Sequence, residues 1–477
     1  MNDRRLALLM RAVILISVGA VLGMAFYEYS FSFFYLDDLN NISLARFETA
    51  GSLTGYLFDP MGAYFRPLGM VVYAAFWRLF DLTPFPYHAF AWLLHAVSTL
   101  LVFLIARRLV GSTYAGGVAA VLFAFEAAYA DVLWNFGDIF EILCGCLFFL
   151  ALWIYMKAGD TIPGLLAVPV VFFFAMSGKE MAVTLPAVIL LYELLVRPGK
   201  VKPLWLVGRI AVVSLGAIRF FASFGGSMLK ANVGGMSPSD PYYLEFSWDA
   251  VRTGYTWYLN GLFFVDWRWT TWLAVTVALG IALVLRRSWI GVFCIALVYV
   301  ALSPVVLLVN HRVDFFWYIP FLGVACLAAL AVRAARDLAL WKLSWRTSAY
   351  VGIPLFALCA GLHYFYQREL ERPSREWAKD LTKEYRAFVT GLRGLPELAS
   401  QKVVYFATPP RHFEKNSLSS ALRVAFDRDG ISAEVVTGSP PPGAYLVRYV
   451  QSELKVVLER PKAACPSNGP PRPGASK

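Results

Sequence analysis

The chain has 477 residues, 58% of them hydrophobic and 16% charged, with a mean hydropathy of +0.58 and a formal net charge of +11. That apolar content excludes an ordinary soluble domain and predicts an α-helical polytopic membrane protein. The positive charge does not mark a nucleic-acid binder, because Lys and Arg are dispersed in small groups between apolar runs rather than gathered on one face.

The first apolar run, residues 12–34, follows Arg4, Arg5 and Arg11. No small-x-small cleavage pattern follows it and aromatic residues continue to Tyr35, so it reads as an uncleaved first span. Further runs lie near 88–107, 114–128, 139–157, 162–178, 181–196, 204–222, 269–286, 289–309, 316–333 and 348–366. With ~20 residues needed per crossing, and shorter runs partly buried by neighbours, these predict about eleven transmembrane helices. From a cytoplasmic N-terminus, the basic groups at Arg107-Arg108, Lys157, Arg197 to Lys202, Arg286-Arg287 and Arg333 to Arg346 all fall on the cytoplasmic face.

The opposite face then receives the loop 35–87, the turn 126–138, the Lys179-Glu180 turn, the loop 223–268 and His311-Arg312. Five stretches carrying acids, bases and aromatics on one side predict an extracytoplasmic active site. The transmembrane domain so defined covers 1–366. Residues 367–465 predict a small extracytoplasmic α+β domain, with a charged helix over 367–395, strands Lys402–Ala407 and Tyr445–Val450, a helix Ser417–Phe426 and a rigid turn at Ser439–Gly443. Residues 466–477, rich in Pro, Gly and Ser, predict a disordered tail. The cysteines at 144, 146, 294, 326 and 359 lie in apolar runs and read as packing residues.

Several polar residues in these stretches can carry chemistry. Asp37-Asp38, directly after the first span, suits a general base or a divalent cation such as Mg or Mn held against a phosphate, and equally suits a helix cap. Arg66 precedes Pro67 at a helix start, where a guanidinium can bind a phosphate bidentately or anchor the interface by snorkelling. His88 and His95 share a face of the second span, as sugar contacts or as buried, hydrogen-bonded core residues. Glu141 near the outer start of the fourth span can orient an acceptor, or simply benefit from the helix dipole. Lys179 and Glu180 interrupt an apolar segment, where an unpaired charge costs several kcal/mol, so they mark either a site or an ion pair tying two spans together. Arg312 is a second candidate phosphate ligand. The aromatics Phe315 to Tyr318 beyond it form an interfacial belt or pack on a sugar face.

In this order the stretches resemble the polyprenyl-phosphate-dependent glycosyltransferases of the GT-C class, and most of all the protein O-mannosyltransferase-like branch. The resemblance rests on Asp37-Asp38, Phe65-Arg66-Pro67-Leu68, Tyr87-His88 with Leu94-His95 and Arg107-Arg108, Ser177 through Pro186, and Arg312 through Pro320. Gly178 interrupts the family's Ser-Lys-Glu run, and no TPR repeats follow. The resemblance implies inversion at an anomeric carbon, with Asp37 as general base and Asp38 beside it. Arg66 and Arg312 match positions around the departing phosphate, joined here by Lys179, while Glu141 assists the base. His88, His95, Glu180 and Tyr318 are the expected acceptor or sugar contacts. The implied partners are a polyprenyl-phosphate sugar donor, a protein or glycolipid acceptor and the lipid of a bacterial inner membrane, with no nucleic acid. A flippase for a lipid-linked saccharide would share the apolar spans but predicts paired repeats and interrupted helices near the midplane, neither of which is evident in the sequence. A non-catalytic scaffold presenting the C-terminal domain would leave Asp37, Arg66 and Arg312 dispensable.

Overall fold

Among the described residues helices form over most of the predicted apolar runs, and three more lie within the two loops 35–87 and 223–268. The computed structural model describes residues 8, 12, 15–20, 22–24, 32–35, 37–46, 66–217, 237–339, 345–438 and 440–459. The tail 466–477, most of the first expected span and the loop segments 47–65 and 223–236 lie outside the described residues. In chain order the helices are α1 (Asp37–Ala45), α2 (Pro67–Phe80), α3 (Pro84–Val110), α4 (Thr113–Ala124), α5 (Ile139–Ala158), α6 (Ile162–Gly178), α7 (Leu185–Leu191) and α8 (Pro203–Ser214). They continue with α9 (Trp248–Phe263), α10 (Trp269–Leu285), α11 (Trp289–Leu302), α12 (Phe321–Ala339), α13 (Trp345–Leu370), α14 (Arg372–Arg393) and α15 (Lys415–Phe426). Of these, α1, α2 and α9 are the helices in the segments read as loops.

Local chemistry sets the boundaries. Pro84 opens α3, and Gly111 closes it in the left-handed region, with its N–H bonded to the Arg107 carbonyl. Ser112 caps α4 by accepting from the Ala115 N–H, and Thr161 caps α6 by accepting from Gly164.

Among the described residues, Pro84–Val110 and Phe136–Ala158 are long and apolar enough to cross a membrane alone. Most of the other expected spans that the described residues cover form shorter helices, as the allowance for runs partly buried by neighbours anticipates, while the run 348–366 lies within the 26-residue α13. The run 181–196 shows why one is short. Lys179 leaves the helix in extended conformation, Glu180–Thr184 forms a 3-10 turn, Pro186 restarts the helix as α7, and Tyr192–Val196 widens into a π turn. Several helices nonetheless turn large apolar side chains outward: Leu93 and Leu100 on α3, Ile162, Leu166 and Val170 on α6, and Leu273, Val277 and Ile281 on α10. Water does not tolerate apolar faces on so many helices, and lipid does.

The chain divides into two compact units. The larger comprises residues 1–32, 48–76 and 83–376, and the smaller 33–47, 77–82 and 377–477. The boundary after 376 lies near the predicted 366, but the smaller unit also takes in α1, assigned above to the transmembrane domain.

The larger unit is helix on helix. Its centre is an aromatic cluster in which Phe123 packs edge-on to Tyr318 at 5.2 Å and Tyr129 meets Tyr318 at 5.1 Å. The hairpin α5–α6 carries polar groups at both ends. At one end lie Glu141 and Lys179. At the other, Asp160 accepts from Arg197 at 2.7 Å and Arg209 at 2.8 Å, and Tyr155 donates to Glu193 at 2.9 Å. From Glu141 to Tyr155 the helix rises about 21 Å at 1.5 Å per residue, roughly two thirds of the ~30 Å apolar core of a bilayer.

The smaller unit contains a four-stranded sheet of β1 (Val403–Thr408), β2 (Ser432–Val435), β3 (Leu446–Val450) and β4 (Lys455–Glu459), in the order β2-β1-β3-β4. β1 runs parallel to β2 and β3, with Val403 opposite Ser432 and Tyr405 opposite Leu446, and β4 is antiparallel to β3. The strands β2 and β4 are additions to the two predicted. α14 buries Leu381, Tyr385, Phe388, Val389 and Leu392 at helical spacing, and Phe388 reaches Phe413 and Tyr449 across the core.

Candidate active site

The charges interrupting the apolar run at Lys179-Glu180 do not pair with each other. Lys179 Nζ lies 2.6 Å from Glu141 Oε2, and both side chains are almost fully buried. Among the described residues no hydrogen-bond donor of ordinary geometry meets either Glu141 oxygen, so this contact is the compensation for a carboxylate inside the bundle. The ammonium also sits 4.6 Å from the ring centres of Phe315 and Phe316, whose faces add cation–π attraction. Glu180 pairs with Arg66 in a two-point contact, Nε to Oε1 at 3.3 Å and Nη2 to Oε2 at 3.2 Å.

Backbone geometry places these groups. α6 stops at Gly178, where a Cβ would lie 3.0 Å from the Cys144 nitrogen and 3.3 Å from its Cα. The end of α6 therefore rests directly on the backbone of α5, and the Cys144 thiol donates to the Lys179 carbonyl at 3.3 Å. The glycine that interrupts the family-like run is what lets Lys179 reach Glu141 on the neighbouring helix.

The Arg66 guanidinium lies 5.9 Å from the rings of both Phe140 and Tyr242. Burial alone would lower its pKa, but the Glu180 carboxylate and the Tyr242 hydroxyl more than offset this and hold it above the usual arginine range. The Tyr242 ring lies tilted against His311 with centres 4.8 Å apart, and His311 meets Phe316 edge-on at 5.9 Å. Burial, with the nearby charges of Lys179 and Arg66, brings the His311 pKa down to about 4, so the ring is neutral at physiological pH. Arg312 donates from Nη2 to Thr253 Oγ1 at 2.9 Å, its Nε has no hydrogen-bond partner, and it forms no carboxylate ion pair among the described residues. The turn 126–138 also approaches this region, since Asp131 interacts electrostatically with Asp314. All five stretches predicted on one face contribute residues to the chain's described polar groups, and four of them meet in the larger unit through Arg66, Lys179-Glu180, Tyr242 and His311.

His88, His95 and Tyr318 lie elsewhere in that unit. His95 Nδ1 is 2.9 Å from the Tyr318 hydroxyl and Nε2 is 3.2 Å from the Ala124 carbonyl, and both rings are wholly buried in the aromatic cluster. His88 is equally buried, 6.4 Å from Phe136. His95 thus has the surroundings of a buried, hydrogen-bonded core residue, whereas neither ring nitrogen of the buried His88 has a hydrogen-bond partner of ordinary geometry among the described residues.

Asp37 and Asp38 belong to the smaller unit, and their environments differ. Asp38 is wholly buried and accepts the Tyr35 N–H through Oδ2 at 3.2 Å, while the Asp38 N–H bonds back to the Tyr35 carbonyl at 3.1 Å. This reciprocal pair has the local form that the helix-capping alternative describes. Asp37, one residue earlier, is exposed. Among the described residues no three His, Cys, Asp or Glu side chains gather as a protein-built metal site would require, so a cation on this pair would draw its other ligands from water or substrate.

Residue-by-residue reading missed Tyr242, Phe140, Thr253 and Tyr258, whose buried hydroxyl has no hydrogen-bond partner of ordinary geometry among the described residues. The available signal was the Tyr242-Tyr243 pair within a loop already assigned to the polar face. Nothing in the spacing marks Thr253 as the partner of Arg312.

No protein-family description and no curated protein matches the chain. Among solved structures it is similar to the crystal structure of ArnT from Cupriavidus metallidurans bound to undecaprenyl phosphate, with a TM-score of 0.46 and 13% identity, over 95% of this chain and 94% of that one.

Proposed function

We propose that the chain is an inner-membrane inverting glycosyltransferase that moves a sugar, with mannose as the first candidate, from a polyprenyl phosphate to an extracytoplasmic hydroxyl of a protein or glycolipid. The observation that carries this reading is the meeting of Arg66, Lys179, Glu180 and His311, from distant stretches, beside unpaired Arg312 in an apolar bundle. A phosphate leaving group in a low-dielectric site needs fixed positive charge aimed at it.

Charge balance orders the roles. Arg66 and Lys179 are matched by Glu180 and Glu141, and His311 is neutral, so among the described residues of this cluster Arg312 is the cation without a carboxylate ion pair. Arg66 and Glu180 retain 18% and 22% side-chain exposure, against 7% and 0% for Lys179 and Glu141. An arriving phosphate therefore draws Arg66 away from Glu180, whereas Lys179 stays with Glu141 and holds the site together. Lys179 and Glu141 act as positioning residues in this reading.

In the reaction the exposed Asp37 carboxylate takes the proton of the acceptor hydroxyl. The oxygen forms the new bond to the anomeric carbon from the face opposite the phosphate, and the electron pair of the breaking C–O bond departs with that phosphate. Asp38, already a cap, supports the helix that carries Asp37.

The test is label release from radiolabelled polyprenyl-phosphate mannose, then from other lipid-linked sugars, by membranes holding wild-type protein or Asp37→Asn. Release by wild-type protein, with the variant reduced by roughly a hundredfold or more, is expected for loss of a general base. Full activity of Asp37→Asn would remove the residue from the mechanism.

A further inference from the structure

α1 has nine residues, too short to hold a helical conformation by itself, so its position is set by what it packs against. Although it follows the first span in sequence, its buried residues Leu39, Ile42 and Ala45 face α15 near the other end of the chain. Both ends of α1 are anchored within the smaller unit. Before its first turn, Tyr35 meets Trp377 and Tyr385 of α14 edge-on at 6.3 Å and 6.5 Å, and the Arg386 guanidinium lies 5.5 Å from the Phe33 ring.

At the other end stands Arg46, with a side chain of zero exposure. Its Nη1 donates to the Ser43 carbonyl at 2.6 Å and to the Ser43 hydroxyl at 2.9 Å, and Nη2 donates to the Arg428 carbonyl at 2.9 Å. Its Nε lies 3.6 Å from the carboxylate of Asp427, the left-handed residue that closes α15. One guanidinium thus binds an end carbonyl of α1 and the turn after α15 together, with its charge at the negative end of the α1 dipole. Burial lowers its pKa, opposed by Asp427 and Asp429, to about 10, which leaves it cationic at neutral pH.

We propose that Arg46 is a positioning residue that fixes α1, and with it Asp37, to the other elements of the C-terminal α+β unit, so that this unit carries the proposed base. The proposal rests on the reading of Asp37 as the base. It assigns the C-terminal unit a part in the chemistry, where sequence alone offered only acceptor docking.

The test uses the full-length protein in lipid nanodiscs, as wild type, Arg46→Met and Arg46→Lys, read by hydrogen exchange and by donor-label transfer. In Arg46→Met, exchange at residues 37–46 should rise about tenfold or more while β1 and β3 stay protected. kcat should fall by roughly tenfold to a hundredfold with KM for the lipid donor unchanged, as expected for a displaced catalytic group. Arg46→Lys, which keeps the charge without the forked reach, should recover part of both, and it carries the same two readouts if Arg46→Met does not fold. Unchanged exchange in α1 overturns the anchoring role, and a loosened α1 with unchanged kcat overturns the positioning role. Absence of transfer by wild-type protein overturns the base assignment and the positioning claim with it, while the exchange result still decides whether Arg46 anchors α1.

Discussion

At the residue scale, the buried pair Lys179–Glu141 makes the sharpest stability prediction. Removing one partner strands the other charge, so Lys179→Met should cost roughly 3–5 kcal/mol. The double variant Lys179→Met/Glu141→Leu should cost much less than the two single changes added together. Denaturant titration of the solubilised protein measures both, and additive costs would mean that the pair is not coupled. His311 makes a pH prediction. Its folded-state pKa of about 4 lies below the ordinary 6.5, so the neutral ring contributes stability that is complete above pH 6.5 and is lost as pH falls toward 4. Wild-type protein should therefore lose more thermal stability between pH 7 and pH 4.5 than His311→Gln, and equal losses would contradict the assignment. The sequence marked Lys179 and Glu180 as charges needing partners, because no bilayer-embedded segment leaves them unpaired. It did not say which partners, since Arg66 lies 114 positions before Glu180 and only the fold brings them together.

At the element scale, the account turns on the contact between the end of α6 and α5. Gly178→Ala would set a methyl group against backbone atoms at 3.0 and 3.3 Å, which cannot move as a side chain could, at a cost of roughly 1–3 kcal/mol. Gly208→Ala in α8, where nothing lies within 4 Å, should instead gain up to about 1 kcal/mol from helix propensity. Thermal unfolding of the two variants compares them directly, and equal behaviour would show that the close approach has no energetic consequence. Apolar runs located α3, α5, α6 and α10 to within a few residues, and the start of α11 but not its end, because a long apolar segment leaves the backbone little choice but helix. The helices α1, α2 and α9 were not legible by the same rule. Asp37-Asp38 as a possible cap and Pro67 as a helix opener pointed to local helix starts, but no long apolar run follows Asp38, and nothing singled out the cap at Ser247. Strands β2 and β4 are short and half exposed, with no apolar alternation long enough to stand out.

At the scale of the whole molecule, the chain combines a helical unit holding a cluster of cations and aromatics with an α+β unit that carries the acidic helix. The division differs from the one composition suggests, because composition follows the chain while α1 packs with elements more than 300 residues away, as in the Arg46 to Arg428 bond, |i−j| 382. The functional reading predicts that Arg312 carries much of the phosphate recognition. Arg312→Ala should reduce transfer by roughly a hundredfold to a thousandfold, as loss of one preorganised electrostatic donor does elsewhere. The central claim is that a bond between sugar and lipid phosphate is broken. Its most direct test is to supply purified protein in nanodiscs with a panel of labelled polyprenyl-phosphate sugars and an acceptor extract, and to follow both the label and the anomeric configuration of the product. The account predicts label transferred to an acceptor with inverted configuration and a free polyprenyl phosphate left behind. Intact donor recovered from every member of the panel, or donor moved across the bilayer with its sugar still attached, would contradict it.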